Sequence, residues 1–160
     1  MRYMKAKYCY LNSNRESTSM SHANVYTDGA CVNQGNPNAQ AGYGVFWGDN
    51  SANNRSGRVD GHQDSNRAEL RAAHVAIKTA SDNGYAGITI HSDSQFVRDA
   101  VNGAGNFQSA SANHRDLMQS INDLARHSNI KVNVEYVPAH SGQHGNDQAH
   151  RLANAGARGN

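Results

Sequence analysis

Hydrophobic and polar residues follow two different periods along this chain, and the change of period marks its predicted elements. Between Val25 and Val59, three short runs (25–32, 42–48 and 55–59) have strand-like composition and are separated by turns rich in Asn, Gly and Asp. Runs this short and closely spaced predict three consecutive antiparallel strands.

After this region the pattern becomes helical. Residues 65–84 carry apolar side chains three or four positions apart, at Leu70, Ala73, Ile77 and Ala80. Asp64 or Ser65 is the predicted N-cap, and Asn83 followed by Gly84 is the predicted stop. We therefore expect a helix that packs one face against the sheet.

The rest of the chain alternates between the two periods. It predicts a strand over 87–93, a helix from Ser94, an amphipathic helix over 115–129, a strand over 131–140 and a last helix from Asn146. This order predicts an α/β fold with one mixed sheet. Residues 1–23 show no period, so we expect a flexible tail followed by a single domain over 24–158.

Composition narrows the class of protein. The 160 residues have a mean hydropathy of −0.80, no apolar run approaches the roughly 20 residues that span a bilayer, and no secretory signal is recognisable. We expect a soluble, intracellular monomer.

The net charge of +2 is compatible with a polyanionic partner but is weak support for one. Cys9 and Cys31 lack metal-ligand spacing, so we expect two free thiols.

Three acidic residues stand at positions where a fold of this kind can bring them together. Asp28 lies within the first predicted strand, Asp93 at the end of the fourth, and Glu69 on the first turns of a helix beside its apolar stripe. Such a cluster needs cations to neutralise it, and oxygen ligands select Mg²⁺ or Mn²⁺. Taken singly, each acid is equally well explained as a cap or a solvated residue.

Six motifs follow one another in the sequence: YTDGAC (26–31), AGYGVFWG (41–48), NRAEL (66–70), HSDSQF (91–96), NHRDL (113–117) and VPAHSG…GNDQAHRLA (137–153). In order and spacing they resemble type 1 ribonuclease H, over about Val25 to Ala157. The resemblance implies the ribonuclease H-like fold, a five-stranded mixed sheet with three antiparallel and then two parallel strands, flanked by helices. It also implies an endoribonuclease that uses two Mg²⁺ ions to cleave the RNA strand of an RNA–DNA hybrid, leaving 5′-phosphate and 3′-hydroxyl ends.

The resemblance also implies metal ligands. Asp28 would bridge both ions, and Glu69 and Asp93 would hold the ion on the leaving-group side. The fourth family carboxylate aligns with His150. Because Mn²⁺ accepts nitrogen ligands better than Mg²⁺ does, we expect Mn²⁺ to support activity at least as well. His150 is then a ligand or a water-orienting group, or else a surface histidine beside an impaired site. Asp147, one turn earlier, either compensates for the lost carboxylate or complements the helix dipole.

Other family positions are matched less evenly. His140, in the AHSG loop, matches a mobile histidine that is implied to assist proton transfer or product release. RNA is recognised in the family through its 2′-hydroxyl groups, and the matching residues are Cys31, Asn33, Gln34, Ser65 and Asn66. The remaining histidines that we interpret as surface residues are His62, His74, His91, His114, His127 and His144.

Two regions depart from the family pattern. In the pocket for a DNA phosphate Asn113 is matched, but His62 and Asp64 replace the usual Arg and Thr, so we expect a weakened or rearranged pocket. Residues 102–112 contain no Lys or Arg where many relatives carry a basic protrusion, which predicts weaker hybrid binding. The tail, with basic residues between tyrosines, either compensates or is disordered.

Three hypotheses of function follow: a metal-dependent endoribonuclease acting on RNA–DNA hybrids, a hybrid-binding module that has lost catalysis, and a retroelement domain beside a reverse transcriptase. Clustered acids at Asp28, Glu69 and Asp93 favour the enzyme over the binding module, since a binding module does not need them. A start at Met1 and an end soon after the last helix favour a free-standing protein.

Overall fold

A mixed five-stranded sheet forms the centre of the protein. A computed structural model describes residues 21–103 and 110–160. The elements in chain order are β1 (His22–Val32), β2 (Gln40–Phe46), β3 (Arg55–Arg58), α1 (Ser65–Asp82), β4 (Gly87–Ser92), α2 (Gln95–Asn102), α3 (Ala112–Ser128), β5 (Lys131–Tyr136) and α4 (His144–Arg158). The strand order is β3-β2-β1-β4-β5, with β1, β2 and β3 antiparallel and β4 and β5 parallel to β1. The predicted fold class and strand directions are confirmed.

The hydrophobic core lies between one face of the sheet and helices α1, α2 and α3. Leu70 and Ile77 of α1 are fully buried, as are Ile88 and Ile90 of β4. Asp64 caps α1, because its carboxylate accepts a hydrogen bond from the backbone N–H of Arg67 at 2.6 Å. Of the two predicted N-caps, Asp64 is therefore the correct one.

Helix α4 covers the opposite face of the sheet and contacts β1, β2 and β3. Small residues permit an unusually close approach: Ala149, Ala153 and Ala157 are fully buried. A Cβ atom on Gly44 would lie 2.3 Å from the carbonyl oxygen of Ala149. The backbone of α4 thus lies directly on β2, which fixes the position of every side chain on this helix.

Several boundaries differ from the sequence-based prediction. β1 begins at His22, and Ala23 is buried in the core, so the last two residues of the predicted tail belong to the sheet. Residues 1–20, including Cys9, lie outside the described part of the chain, whereas Cys31 is a free thiol. Helix α3 begins at Ala112 because Ser111 caps it.

In the described ranges, no helix combines the length and apolar character that crossing a bilayer requires.

Candidate active site

The parallel pairing of β1 with β4 brings two acids together. Tyr26 of β1 pairs with His91 of β4. Asp28 lies two residues after Tyr26, and Asp93 lies two residues after His91. Asp28 is still within β1, whereas Asp93 immediately follows β4. The carboxyl end of β4 therefore presents one carboxylate beside the other.

Glu69 joins this pair from the first turns of α1 because β1 has no side chain at the crossing point. A Cβ atom on Gly29 would lie 2.3 Å from the backbone nitrogen of Glu69. Only glycine permits α1 to lie this close to β1. Carboxylate oxygens of Asp28, Glu69 and Asp93 consequently lie within 4.8 Å of one another.

The three carboxylates are poorly compensated by the protein. Asp28 and Glu69 are buried, at 3% and 7% exposure. Burial, the charge of Asp28 and a hydrogen bond with Asp28 raise the pKa of Glu69 well above its usual value. Burial and the charge of Asp28 also raise the pKa of Asp93. Glu69 Oε2 is buried and has no hydrogen-bond partner among the described residues, so a divalent cation coordinated by oxygen fits this cluster.

Asn146 supports the cluster from α4. Its side chain is buried at 3% exposure and hydrogen-bonds to Asp93, which lowers the pKa of Asp93 against the larger effect of burial. The contact links α4 to the end of β4. The sequence analysis missed this residue, although Asn146 precedes His150 by four positions and therefore shares its side of the helix.

His150 lies against Asp28. Its Nδ1 is 2.7 Å from Asp28 Oδ2, and its side chain is 55% exposed. The side-chain nitrogen of Asn154 donates to the carbonyl oxygen of His150 at 3.0 Å and lies 3.1 Å from its Nε2. With that amide nitrogen assigned as a donor, Nε2 is the acceptor, and the matching tautomer carries its proton on Nδ1. In this state the imidazole donates to Asp28, and Asn154, which the sequence analysis also missed, fixes its tautomer.

Two more predicted residues surround the same pocket of about 220 Å³. His140 has a left-handed backbone conformation with φ of 56° in the loop before α4, and its ring centroid is 6.2 Å from that of His150. Asp147 lies in the first turn of α4 on the pocket rim, outside the carboxylate cluster. Its position suits a helix-dipole role.

The residues matched to RNA recognition lie at two adjoining loops. Gln34 Oε1 accepts a hydrogen bond from the backbone N–H of Ser65 at 2.9 Å, so the loop after β1 contacts the start of α1. Asn33 and Asn66 are exposed. Cys31 is half-buried, its thiol donates to the Gln63 carbonyl at 3.6 Å, and burial followed by the charge of Asp64 raises its pKa.

Two of the residues matched to a DNA-phosphate pocket, His62 and Asp64, contact one another. One carboxylate oxygen of Asp64, Oδ1, caps α1. The other, Oδ2, lies 2.8 Å from Nε2 of His114 and 3.3 Å from Nε2 of His62. The backbone N–H of Arg67 and the two histidines thus contact the carboxylate that would otherwise repel a phosphate. Asn113 is exposed in the first turn of α3, and its carbonyl oxygen accepts a hydrogen bond from Arg67.

The interpretation of six histidines as surface residues is wrong for three of them. His114 is only 13% exposed and hydrogen-bonds to Asp64. His91 is 18% exposed and stacks on Tyr26 with ring centroids 4.8 Å apart. His74 is half-buried, and burial lowers its pKa. For His114 and His91 the contact comes from a neighbouring element, which no periodicity within a single helix or strand reveals.

The sheet, the helices on both faces and the carboxylate cluster define an α/β protein of the ribonuclease H-like class. The family described as RNase H matches residues 20–158. Ribonuclease H1 of Mus musculus is 33% identical over 147 residues, which cover 84% of this chain and 50% of the mouse protein. The chain therefore belongs to the RNase H family, and it spans half the length of that mouse relative.

Solved structures agree with this assignment. RNase H1 from Halobacterium salinarum superposes with a TM-score of 0.65 at 26% identity, covering 88% of this chain and all of that one. LC11-RNase H1, solved in complex with an RNA/DNA hybrid, superposes with a TM-score of 0.66 at 20% identity and covers 85% of this chain and 96% of its own. The second likeness supports the fold alone.

Proposed function

We propose that this protein is an endoribonuclease that hydrolyses the RNA strand of RNA–DNA hybrids. The observation that carries the proposal is the cluster of Asp28, Glu69 and Asp93 with the unpartnered, buried oxygen of Glu69, in a chain of the RNase H family. Three carboxylates held this close destabilise the fold unless they bind cations. Such an arrangement has a catalytic use and no evident structural one.

Asp28, Glu69 and Asp93 would hold two Mg²⁺ or Mn²⁺ ions. Bound at such a site, two ions stabilise the attacking and leaving oxygens of an in-line displacement at phosphorus. Water as the nucleophile leaves the phosphate on the 5′ side of the downstream fragment and a hydroxyl on the 3′ end of the upstream fragment. The buried position of Asp28 and Glu69 fixes both carboxylates before substrate arrives.

His150 stands in place of a fourth carboxylate. It would either bind a metal ion or orient a water molecule. Ligation through Nδ1 requires that the proton move to Nε2 and that the Asn154 amide turn to accept it. An imidazole supplies no negative charge, so the site holds one charge fewer than a site with aspartate at this position. The imidazole offers nitrogen instead of oxygen, and this is the reason to expect that Mn²⁺ serves at least as well as Mg²⁺.

His140 would move the proton of the leaving group. Its exposed loop position places the imidazole beside the carboxylate pocket, where the imidazolium can protonate the departing 3′-oxygen. RNA would be distinguished from DNA by 2′-hydroxyl contacts with Asn33, Gln34 and Asn66, and with Cys31 and Ser65 behind them. Asn113 would contact a phosphate of the DNA strand.

Cleavage of a labelled hybrid in Mg²⁺ and in Mn²⁺ tests the proposal. Wild type should cut the RNA strand only and leave a 5′-phosphate, and Asp93→Asn should abolish cutting in both metals. The paired DNA strand and an RNA duplex serve as internal controls. Equal cleavage by Asp93→Asn and wild type would show that the site lies elsewhere.

A second function, hybrid binding without catalysis, is favoured by the direct contact of His150 with Asp28, which occupies an oxygen that a metal would need. The variant His150→Asp separates the two functions. If wild type binds hybrid without cutting it and His150→Asp cuts it, the protein is a binding module with a degraded site.

A further inference from the structure

A groove of about 600 Å³ runs along the exposed side of α4, starting at the candidate active site. The groove is an open surface of α4 itself, and its polar lining residues are Asp147, His150, Arg151, Asn154, Arg158 and Asn160. Asp147 and His150 also line the pocket around the three carboxylates. Groove and pocket are therefore continuous, and a strand lying at the carboxylates has an open path along the helix.

The groove carries two arginines and one acid, Asp147, and neither arginine pairs with an acid among the described residues. In residues 21–103 and 110–160, ion pairs engage Arg67, Arg71 and Arg98 on the opposite face of the sheet. Neither Arg151 nor Arg158 forms an ion pair in those ranges, and Arg151 bonds only to the neutral Gln148 at 3.0 Å and 3.1 Å. Their charges are left for an external anion.

A third arginine extends this surface from the sheet. The guanidinium of Arg58, in β3, lies against Gly159 at the end of α4: Nη2 would be 3.2 Å from a Cβ atom at that glycine. Arg58 is exposed and, within the described ranges, also makes no ion pair. Two elements thus place unpaired guanidinium groups at one end of the groove.

We propose that this groove binds backbone phosphates of the RNA strand on one side of the cleaved bond. The inference rests on the proposed function, since it places the scissile phosphate at the carboxylates. His150 and Arg158 are eight residues apart, or about 12 Å along a helix. A strand lying along the helix covers that length with a few nucleotides. Arg151 and Arg158 contact phosphates within that distance, and Arg58 contacts the next one.

The competing explanation is that Arg158 only complements the dipole of α4, in whose last turn it lies. Arg126 provides a matched control, because it is an exposed arginine in the last turn of α3. α3 ends where β5 begins, at the end of the sheet away from Asp93. Substitution of Arg126 therefore removes the same charge and the same dipole interaction without touching the groove.

Hybrid binding as a function of salt tests the proposal. Fluorescence anisotropy measures Kd for a labelled RNA–DNA hybrid in EDTA, between 50 mM and 200 mM salt, for wild type, Arg151→Gln, Arg158→Gln, Arg58→Gln and Arg126→Gln. Each groove variant should lower the slope of log K against log salt by about 1. The advantage of wild type over a groove variant should accordingly shrink about 4-fold over this fourfold change in salt. Arg126→Gln should match wild type.

Hybrids shortened on either side of the cleavage site give a second readout. Removing the RNA nucleotides that lie in the groove should abolish the difference between wild type and Arg158→Gln, and removing those on the other side should preserve it. If wild type cleaves hybrid but the groove variants share its Kd and salt slope, the groove inference is overturned and the proposed function stands. If wild type neither binds nor cleaves hybrid, the proposed function itself fails.

Discussion

At the scale of single residues, the carboxylates of the candidate site lower the stability of the folded, metal-free protein. The pKa of Glu69 is raised in the folded protein by burial and by Asp28, so folding favours the protonated form. A carboxyl group with a raised folded pKa costs nothing below its unfolded pKa of about 4.3. Its cost grows as the pH rises from that value and is complete above the folded pKa. Without metal, Glu69 therefore lowers the stability of the folded protein most at the pH where the site would work.

Replacing Glu69 by Gln should therefore stabilise the metal-free protein near neutral pH, by on the order of 1 kcal/mol. Urea unfolding in EDTA at several pH values measures this. The advantage of Glu69→Gln over wild type should increase from about pH 4 towards neutrality. A variant that is less stable than wild type at pH 8 in EDTA would contradict the assignment of cost to the carboxylate.

Arg67 shows the opposite case, a buried charge that is fully paired. Its guanidinium is 5% exposed and donates to both carboxylate oxygens of Asp116, at 2.6 Å and 2.9 Å. The hydrogen bond and charge of Arg67 lower the pKa of Asp116 to about 2. This pair joins the starts of α1 and α3, the helices that carry Asn66 and Asn113.

Asp116→Asn should destabilise the fold by roughly 1–2 kcal/mol, a value reduced because Asp116 is 63% exposed. A carboxylate with a lowered folded pKa contributes its stability above its unfolded pKa of about 3.9 and loses it as the pH falls towards 2. The difference between wild type and variant should accordingly be constant above pH 5 and shrink between pH 4 and pH 2. Asp99→Asn, which removes a carboxylate whose ion-pair partner among the described residues is its exposed neighbour Arg98, should change stability by less than about 0.5 kcal/mol.

At the scale of elements, the site depends on how closely α4 lies on the sheet. Gly44 is the pairing partner of Asp28 across β1 and β2, and a Cβ atom there would meet the α4 backbone at Ala149 and Ala153. The glycine that admits the helix is thus level with the carboxylate that His150 contacts. Any displacement of α4 at this level separates His150 and Asn146 from the acids.

Gly44→Ala should therefore cost about 1–3 kcal/mol of stability and, if α4 moves by about 1 Å, lower hybrid cleavage about 10²-fold. Urea unfolding and single-turnover cleavage measure the two effects. Gly35→Ala adds the same methyl group in open space and should cost only the roughly 1 kcal/mol of a left-handed backbone, with cleavage unchanged. Normal cleavage by a folded Gly44→Ala protein would show that α4 tolerates displacement.

At the scale of the whole molecule, the sequence predicted what depends on local order and missed what depends on contact between distant elements. Strand and helix positions follow from patterns within short segments, and motifs within such segments also single out Asp28, Glu69 and Asp93, whose roles stay predictions. The burial of His114 against Asp64 joins residues 50 positions apart, and the approach of Glu69 to Gly29 joins residues 40 positions apart. Neither leaves a periodic signal, because the partner lies on another element.

The stability of the whole fold should also report on metal binding, since an ion that binds only the folded state stabilises it by mass action. At a concentration 100-fold above Kd this amounts to about 2.7 kcal/mol, or roughly 5–10 °C in Tm for a domain of this size. Thermal melts in Mg²⁺ and Mn²⁺ separate this effect from catalysis. Wild type should gain at least as much from Mn²⁺ as from Mg²⁺, because His150 offers nitrogen.

His150→Asp restores an oxygen ligand and a negative charge, so its gain from Mg²⁺ should exceed that of wild type. Asp93→Asn is the control and should lose most of the gain from both ions. Equal Mg²⁺ shifts for wild type and His150→Asp would place His150 outside the metal site. Its hydrogen bond to Asp28 would then be a structural contact, and the three remaining carboxylates would hold the ions without a fourth ligand from α4.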